Sequence, residues 1–134
     1  MAALPGCIGS SDATHILLEK CSHRLAQVHK GFKFTQTARS YNIVVNHRRR
    51  ILHTTDGFPT RWNDKTIQNF DIVMKGLHSG DILLDVEFEL LYKNKEGNIA
   101  IMKYEGAWLI VDNGYLSWST TVPPFKWYID TNQE

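Results

Sequence analysis

Three segments in the first half of the chain have the hydrophobic pattern of β-strands. Cys7 to Leu18 is apolar around the polar group Ser10-Ser11-Asp12, and two serines with an aspartate are unusual in a strand otherwise suited to burial. Arg39 to Asn46 is rich in β-branched and aromatic residues, which favours a second strand. Ile51 to Thr55 predicts a third strand paired with the second, and the basic group His47 to Arg50 predicts the turn between them.

After Trp62 the apolar positions change to a helical period. One helix face is predicted from the spacing of Ile67, Phe70, Val73, Met74 and Leu77. Asn63 is a suitable N-cap for this helix, and Gly76 or Gly80 can end it. A second, shorter helix is predicted over Ile82 to Glu89.

The last third of the chain returns to extended structure. Lys93 to Asn98 predicts a polar turn between two extended segments, and Ala107 to Val111 is the clearest buried strand in the chain. That strand runs directly into Asp112-Asn113-Gly114-Tyr115. The two prolines in Val122 to Phe125 exclude regular structure there. Strands, then helix, then strands predict an α/β or α+β layered fold.

Composition narrows the class of protein. The 134 residues are 43% hydrophobic, which suits one ordinary domain and excludes a disordered chain. Basic residues number 15 and acidic residues 14, so binding to nucleic acid through net charge alone is excluded. Two cysteines exclude a disulfide scaffold. No apolar run reaches the ~20 residues of a membrane helix, and no secretory signal is visible, so we expect an intracellular protein.

Two carboxylates have the sequence context of a cation site. Asp12 lies within a predicted strand, and Asp112 follows the end of an apolar strand, where open α/β sheets bind ligands. If those strands are adjacent and parallel, both side chains suit a hard divalent cation such as Mg²⁺, which would offset their mutual repulsion. Periodicity alone also allows simpler roles: a local serine or threonine partner for Asp12, a turn position for Asp112, and a first-turn helix position for Asp64.

A zinc site is a weaker candidate. Cys7, Cys21, His23 and His29 supply the right ligand types, but their spacings fit no standard zinc pattern. The histidines also lack the HExxH spacing of a metalloprotease helix.

Basic and aromatic residues suggest contacts with nucleic acid. Arg48, Arg49 and Arg50 form either a solvated turn or a contact with the phosphate backbone. Aromatic residues near the C-terminus either stack on bases or pack in the core: Tyr115, Trp118 and Trp127.

Three motifs together resemble a known family. Gly6 to His15, GCIGSSDATH, resembles the first catalytic strand of Harbinger-type DDE transposases and endonucleases, an aspartate followed by a small residue, Ser or Thr, and His. Ile51 to Asp64, ILHTTDGFPTRWND, resembles the family segment of Gly-x-Pro-Gly-x-x-x-Asp form that opens the first helix. Leu109 to Tyr115, LIVDNGY, resembles its second catalytic motif. The motifs stand in the family's order over about residues 6–126.

The resemblance implies a ribonuclease-H-like α/β fold, with a mixed sheet, an antiparallel three-strand start, a crossover helix and a fourth strand beside the first. It implies that Asp12 and Asp112 are the first two catalytic acids and metal ligands, and Asp64 is a supporting metal candidate. The implied activity is hydrolysis and strand transfer at DNA phosphodiesters with Mg²⁺ or Mn²⁺, where one cation activates the nucleophile and another stabilises the leaving oxygen. A location in the nucleus or cytoplasm is expected.

The sequence also departs from the family pattern. The family's third acid lies in a Glu-x-x-Phe-Gly segment on a later helix, which this sequence lacks, so Asp130 or Glu134 would have to replace it. The family's N-terminal helix-turn-helix is absent, and Thr60 stands where the family usually has Gly. We therefore expect residues 1–134 to form a single partial, C-terminally truncated endonuclease domain with little activity alone.

Two other outcomes stay open at the level of sequence. The fold could serve as an inactive interaction module that binds a protein or transposase partner through exposed sheet surface. Alternatively, the chain could be an unstable remnant that does not unfold cooperatively.

Overall fold

The computed structural model describes residues 4–30 and 36–124, which form a mixed α/β structure around one main sheet. In chain order the elements are β1 Cys7–Leu17, α1 His23–His29, β2 Ala38–Val45, β3 Ile51–Thr54, β4 Phe58–Pro59, α2 Asp64–Phe70, α3 Ile72–Ser79, β5 Glu87–Lys93, β6 Ile99–Glu105, β7 Trp108–Ile110 and β8 Thr121–Val122.

The main sheet mixes antiparallel and parallel strands. Its order is β3-β2-β1-β7-β8, and the short strand β4 also pairs with β2. Strands β1, β2 and β3 are antiparallel neighbours, whereas β7 is parallel to β1 and β8 is parallel to β7. The described residues therefore have the antiparallel three-strand start, and the later strand beside β1, that the sequence predicts.

Burial alternates along β2 and, in β1, around Ser11. In β1, Ser11 is buried and its neighbour Asp12 is exposed. In β2 the buried positions are Ala38, Ser40, Asn42 and Val44. Because successive side chains of a strand point to opposite faces, Ser11 faces the core and Asp12 faces away from it. The Asp12 carboxylate is thus solvated, and its strand position carries no cost of burial.

The β2–β3 connection is the predicted basic turn. The Asn46 side-chain oxygen accepts hydrogen bonds of 3.0 Å from the backbone N–H groups of Arg48 and Arg50. Arg49 has a φ of 62°. The three arginine side chains are exposed around this turn.

The predicted helix after Asn63 is in fact two helices, α2 and α3, that meet at Asp71. The backbone of Asp71 is extended, with φ −76° and ψ 112°, and its side chain caps α3 by accepting hydrogen bonds from Val73 N and Met74 N. Asn63 caps α2 as predicted, since its side chain accepts from Thr66 N. Gly80, in the left-handed conformation, ends α3.

The predicted helix over Ile82 to Glu89 is wrong. Residues 81–85 form turns and bends, and β5 begins at Glu87. Strands β5 and β6 form a separate two-stranded antiparallel sheet, joined by the polar turn that was predicted at Lys93 to Asn98. The apolar residues of this hairpin lie on both faces, so its sequence has neither a clean strand alternation nor a true helical period.

Helix α1 was not predicted, because His23 to His29 has only a short apolar pattern. The buried core lies elsewhere, between α3 and the sheet. Its members are Val44, Met74, Leu77, Ala107, Leu109, Val111 and Tyr115. Among the described residues, no helix has the length and apolar character needed to span a bilayer.

Candidate metal centre beside β1 and β7

The parallel pairing of β1 with β7 places Asp12 and Asp112 at the same level of the sheet. Ser10 of β1 is the register partner of Ile110 of β7, and each aspartate comes two residues later. Two residues along an extended chain return to the same face. Ser10, Asp12, Ile110 and Asp112 are all exposed, whereas Ser11 and Val111 between them are buried, which agrees with one shared face.

Asp64 approaches the same place from the helix layer. It is the first residue of α2, directly after the N-cap Asn63, and its side chain is half-buried. An acidic residue in the first turn is favoured by the helix dipole. This explains the local position of Asp64, but not why its carboxylate lies beside the loop that follows Asp112.

Gly114 shows how near Asp64 and Asp112 come to each other. A Cβ built on Gly114 would collide with Asp64 Oδ2 and lie 3.0 Å from Asp112 Oδ1 and 3.4 Å from Asp64 Cγ. The Gly114 backbone N–H also donates a 2.7 Å hydrogen bond to Asp112 Oδ1. The absence of a side chain at position 114 therefore leaves the space in which two carboxylates converge.

Tyr115 lies within electrostatic reach of all three carboxylates. Burial raises the pKa of the Tyr115 hydroxyl well above its ordinary value, and the negative charges of Asp64, Asp12 and Asp112 raise that pKa further. A hydrogen bond with Ser11 opposes this rise. Tyr115 thus remains a neutral phenol beneath a negatively charged patch.

A buried polar group supports this patch from below, and no pattern in the sequence predicts it. Asn42 of β2 accepts hydrogen bonds from Tyr115 Oη at 2.8 Å and from Ser11 Oγ at 3.1 Å. Its amide nitrogen donates to Asp71 Oδ2 at 2.7 Å. His53 Nε2 lies 3.2 Å from Asp71 Oδ1, without the alignment of a hydrogen bond.

The number of carboxylates that come together limits which cation this place could hold. Within residues 4–30 and 36–124, no three or more His, Cys, Asp or Glu side chains are grouped so that they could hold a metal ion. Mg²⁺ does not need such a group, because it is bound by one or two carboxylates together with waters and substrate phosphates. The convergence of Asp64 and Asp112 around Gly114, with Asp12 at the level of Asp112, provides that number of oxygen ligands.

The arginines of the β2–β3 turn are not part of this group. Asp12 pairs with Ile43, and Arg48 follows five residues later along β2 and its turn. At the rise of a strand this is roughly 15 Å. Any contact of Arg48, Arg49 and Arg50 with nucleic acid would therefore be made away from the carboxylates.

Other predicted site residues have different outcomes. Tyr115 is only 4% exposed and cannot stack on a base. Trp118 stacks on His78, with ring centroids 4.4 Å apart. Trp127, Asp130 and Glu134 lie outside the described residues.

The zinc alternative is not supported, because Cys7, Cys21, His23 and His29 are all described and form no metal-binding group. Comparisons of the chain with protein-family models, with curated proteins and with solved structures found no match.

Proposed function

We propose that this chain is a catalytic domain of the Harbinger-type DDE endonuclease class, which binds Mg²⁺ or Mn²⁺ at Asp12, Asp112 and Asp64 for chemistry at DNA phosphodiesters. One observation carries the proposal. Ser10 is the parallel register partner of Ile110, which supports a common level for Asp12 on β1 and Asp112 two residues past the end of β7, a hundred positions apart in sequence.

The topology is compatible with a ribonuclease-H-like fold. That fold requires an antiparallel three-strand start, a helical crossover, and a fourth strand parallel to the first. The order β3-β2-β1-β7-β8 with these directions meets the requirement, and α2 and α3 lie in the connection between β3 and β7. The β5–β6 hairpin is an insertion in that same connection.

In this proposal the aspartates hold the cation, and Gly114 shapes the space around two of them. Asp12, Asp64 and Asp112 would hold the cation, and without it their charges would repel a phosphodiester. Gly114 leaves room for two of these carboxylates and fixes Asp112 Oδ1 through its N–H. When bound, the cation would supply the charge that activates an attacking water or 3′-hydroxyl and stabilises the leaving oxygen.

The arginines would position DNA. Arg48, Arg49 and Arg50 are exposed on one turn, which suits contacts with phosphates that orient a duplex without reading its sequence. Action on DNA would fit the expected location in the nucleus or cytoplasm.

Cation binding by the intact chain tests the proposal. We would titrate Mn²⁺ into the wild type and into Asp12→Asn and Asp112→Asn, with calorimetry and Mn²⁺ electron paramagnetic resonance as two independent readouts. Asp85→Asn, which changes an exposed carboxylate in the turn before β5, is the matched control. Each site variant should lose at least about tenfold in Mn²⁺ affinity, and the control should match the wild type.

The proposal fails if the wild type does not bind Mn²⁺, or if Asp12→Asn and Asp112→Asn bind it as the wild type does. Cleavage of a nicked or single-stranded oligonucleotide in Mn²⁺ is a secondary readout. Asp112→Asn should abolish any cleavage that the wild type shows.

The β5–β6 hairpin favours a second candidate function, a protein-interaction module. One face of the hairpin carries only apolar and aromatic residues: Phe88, Leu90, Tyr92, Ala100, Met102 and Tyr104. Four of them, Leu90, Tyr92, Met102 and Tyr104, are 39–45% exposed. A two-stranded hairpin is marginally stable by itself, and such a surface commonly mediates association.

Sedimentation velocity over a range of concentrations tests association with a second copy of the chain. Leu90 and Met102 are direct cross-strand partners, so Leu90→Ser/Met102→Ser removes the centre of this face. Ile72→Ser on α3, which changes an exposed apolar residue outside the hairpin, is the control. Association that the hairpin variant alone abolishes would support the module, and a monomeric wild type at every concentration would count against it.

A further inference from the structure

The side chain of Asn42 is completely buried, and every hydrogen-bonding position on it is used. Its amide nitrogen donates to Asp71 Oδ2 at 2.7 Å and to Met74 Sδ at 3.1 Å. Its amide oxygen accepts from Tyr115 Oη at 2.8 Å and from Ser11 Oγ at 3.1 Å. An asparagine side chain has two donor hydrogens and two acceptor lone pairs, so this group is fully satisfied.

Asn42 accepts hydrogen bonds from the hydroxyls of Ser11 and Tyr115. These two residues belong to the segments that carry Asp12 and Asp112. Ser11 is the residue before Asp12 on β1. Tyr115 lies three residues after Asp112, at the end of the loop that contains Gly114, and its backbone N–H contacts Asp112 O at 3.5 Å. A single oxygen atom of β2 therefore links β1 to the loop after β7, directly beneath the carboxylates.

Asp71 fixes which way the Asn42 amide points. The Asp71 carboxylate accepts from two backbone N–H groups of α3 and from the Asn42 amide. A carboxylate can only accept hydrogen bonds, so the nitrogen of Asn42 must face Asp71. Its oxygen must then face Ser11 and Tyr115, and α3 is tied into the same network.

We propose that Asn42 is a positioning residue for the carboxylate site, and that it sets the separation of Asp12 from Asp112 by holding Ser11 and Tyr115 on one oxygen. This inference rests on the proposed cation site. Asn42 itself would touch neither the cation nor the substrate, because it lies on the core face and Asp12 lies on the other. Buried partners that orient metal ligands in this way typically influence affinity by about 10–100-fold.

The mildest test removes one hydroxyl at a time. In Tyr115→Phe the Asn42 oxygen keeps Ser11 as a donor, and in Ser11→Ala it keeps Tyr115, so neither variant leaves a buried acceptor without a partner. Each should weaken Mn²⁺ binding by about tenfold while the chain still unfolds cooperatively. Leu77→Ala, which destabilises the same core without touching this network, should bind Mn²⁺ as the wild type does.

A second test exchanges the two side chains of the Asn42–Asp71 pair. If the loss of binding were only a general loss of stability, the second substitution would not restore it. Asn42→Asp alone places two carboxylates against each other and should lose Mn²⁺ binding or folding. The double variant Asn42→Asp/Asp71→Asn restores a donor facing an acceptor, and asparagine is also a good helix N-cap. Its Mn²⁺ affinity should return to within about threefold of the wild type.

The outcomes separate this inference from the proposed function. If the wild type binds Mn²⁺, and Tyr115→Phe and Ser11→Ala bind it equally well, the positioning role is overturned while the cation site stands. If Leu77→Ala loses as much affinity as the hydroxyl variants, the effect is one of stability and the role is again overturned. If the wild type does not bind Mn²⁺, the proposed function and this inference fall together.

Discussion

Gly114 donates its backbone N–H to Asp112, and a side chain at this position would project between the Asp112 and Asp64 carboxylates. A Cβ at this position would meet oxygens of both acids. Gly114 has no positive φ, so an alanine suits its backbone. The glycine is therefore needed for the space and not for its conformational freedom.

Gly114→Ala should reduce Mn²⁺ affinity by at least about tenfold, because the methyl group forces the two carboxylates apart. Its effect on the free energy of unfolding should stay within about 1 kcal/mol, since the position is exposed and unstrained. Calorimetry and urea denaturation of the same sample measure both quantities. Gly57→Ala is the control, because the atoms nearest its Cβ would belong to the Arg39 and Tyr41 side chains and not to these acids. Unchanged Mn²⁺ affinity in Gly114→Ala would separate Asp64 from the site.

Asp71→Ala should be among the most destabilising single changes in the chain. The substitution removes the cap of α3 and leaves the Asn42 amide without its charged partner. The expected loss is about 2–4 kcal/mol of unfolding free energy, measured by urea denaturation. Asp71→Asn retains the cap and should lose less. Asp85→Ala, at an exposed position, should stay within about 0.5 kcal/mol of the wild type, and an equal loss in both alanine variants would refute the role of Asp71.

The position of Asp71 also shows where sequence reasoning reaches its limit in this fold. The helical period continues through Asp71 without a break, since Ile67, Met74 and Leu77 all face the core. Two short helices on one sheet preserve that period even though the backbone between them is extended. The same helical period predicts that Phe70 lies on the buried face, whereas Phe70 is 58% exposed. Periodicity identifies which residues face the core. It does not detect a break in the helix when the residues on both sides of the break still face the core.

Some residues of the candidate site can likewise be predicted from the sequence, and others cannot. The sequence predicts Asp12 and Asp112 as site residues because each stands in a local pattern, an apolar strand with a polar interruption or a polar end. Asn42 was not predictable because its partners Ser11 and Tyr115 are 31 and 73 residues away. In the sequence it is one polar residue in a strand, with the appearance of a solvent-facing position. Only the packing of β1, β2 and the loop after β7 reveals its role.

Stability should fall as the pH drops below about 6.5, in part because of His29. Burial lowers the pKa of His29, and the positive charge of Arg39 lowers it further. The unfolded chain therefore takes up the proton first as pH falls. The stability contributed by neutral His29 is complete above the unfolded pKa and is lost as pH falls through the folded pKa.

Urea midpoints measured on both sides of that pH test the contribution of His29. His29→Gln should show a smaller decrease than the wild type, because it has no group to protonate. His47→Gln changes an exposed residue of the basic turn and should retain the full decrease. Identical pH profiles for the wild type and His29→Gln would contradict the assignment.

Tyr115 should make stability fall again at alkaline pH. Its pKa is raised in the folded chain by burial and by the charges of Asp64, Asp12 and Asp112. Above the ordinary tyrosine pKa of about 10, the unfolded chain loses this proton first, so stability is complete below that pH and declines as pH rises. Tyr115→Phe should lack this part of the decline.

Near-ultraviolet absorbance of tyrosinate gives a direct reading on the folded protein. Up to about pH 11, where the chain is still folded, Tyr115→Phe should show the same increase in absorbance as the wild type, because Tyr115 does not ionise there. Tyr92→Phe, which removes an exposed phenol from β5, should show a smaller increase. If Tyr115→Phe instead loses one residue's share of the signal, Tyr115 is ionising with the other tyrosines. The burial of Tyr115, which is the largest cause of its raised pKa, would then not hold in solution, and the predicted contribution of Tyr115 to the alkaline loss of stability would be refuted.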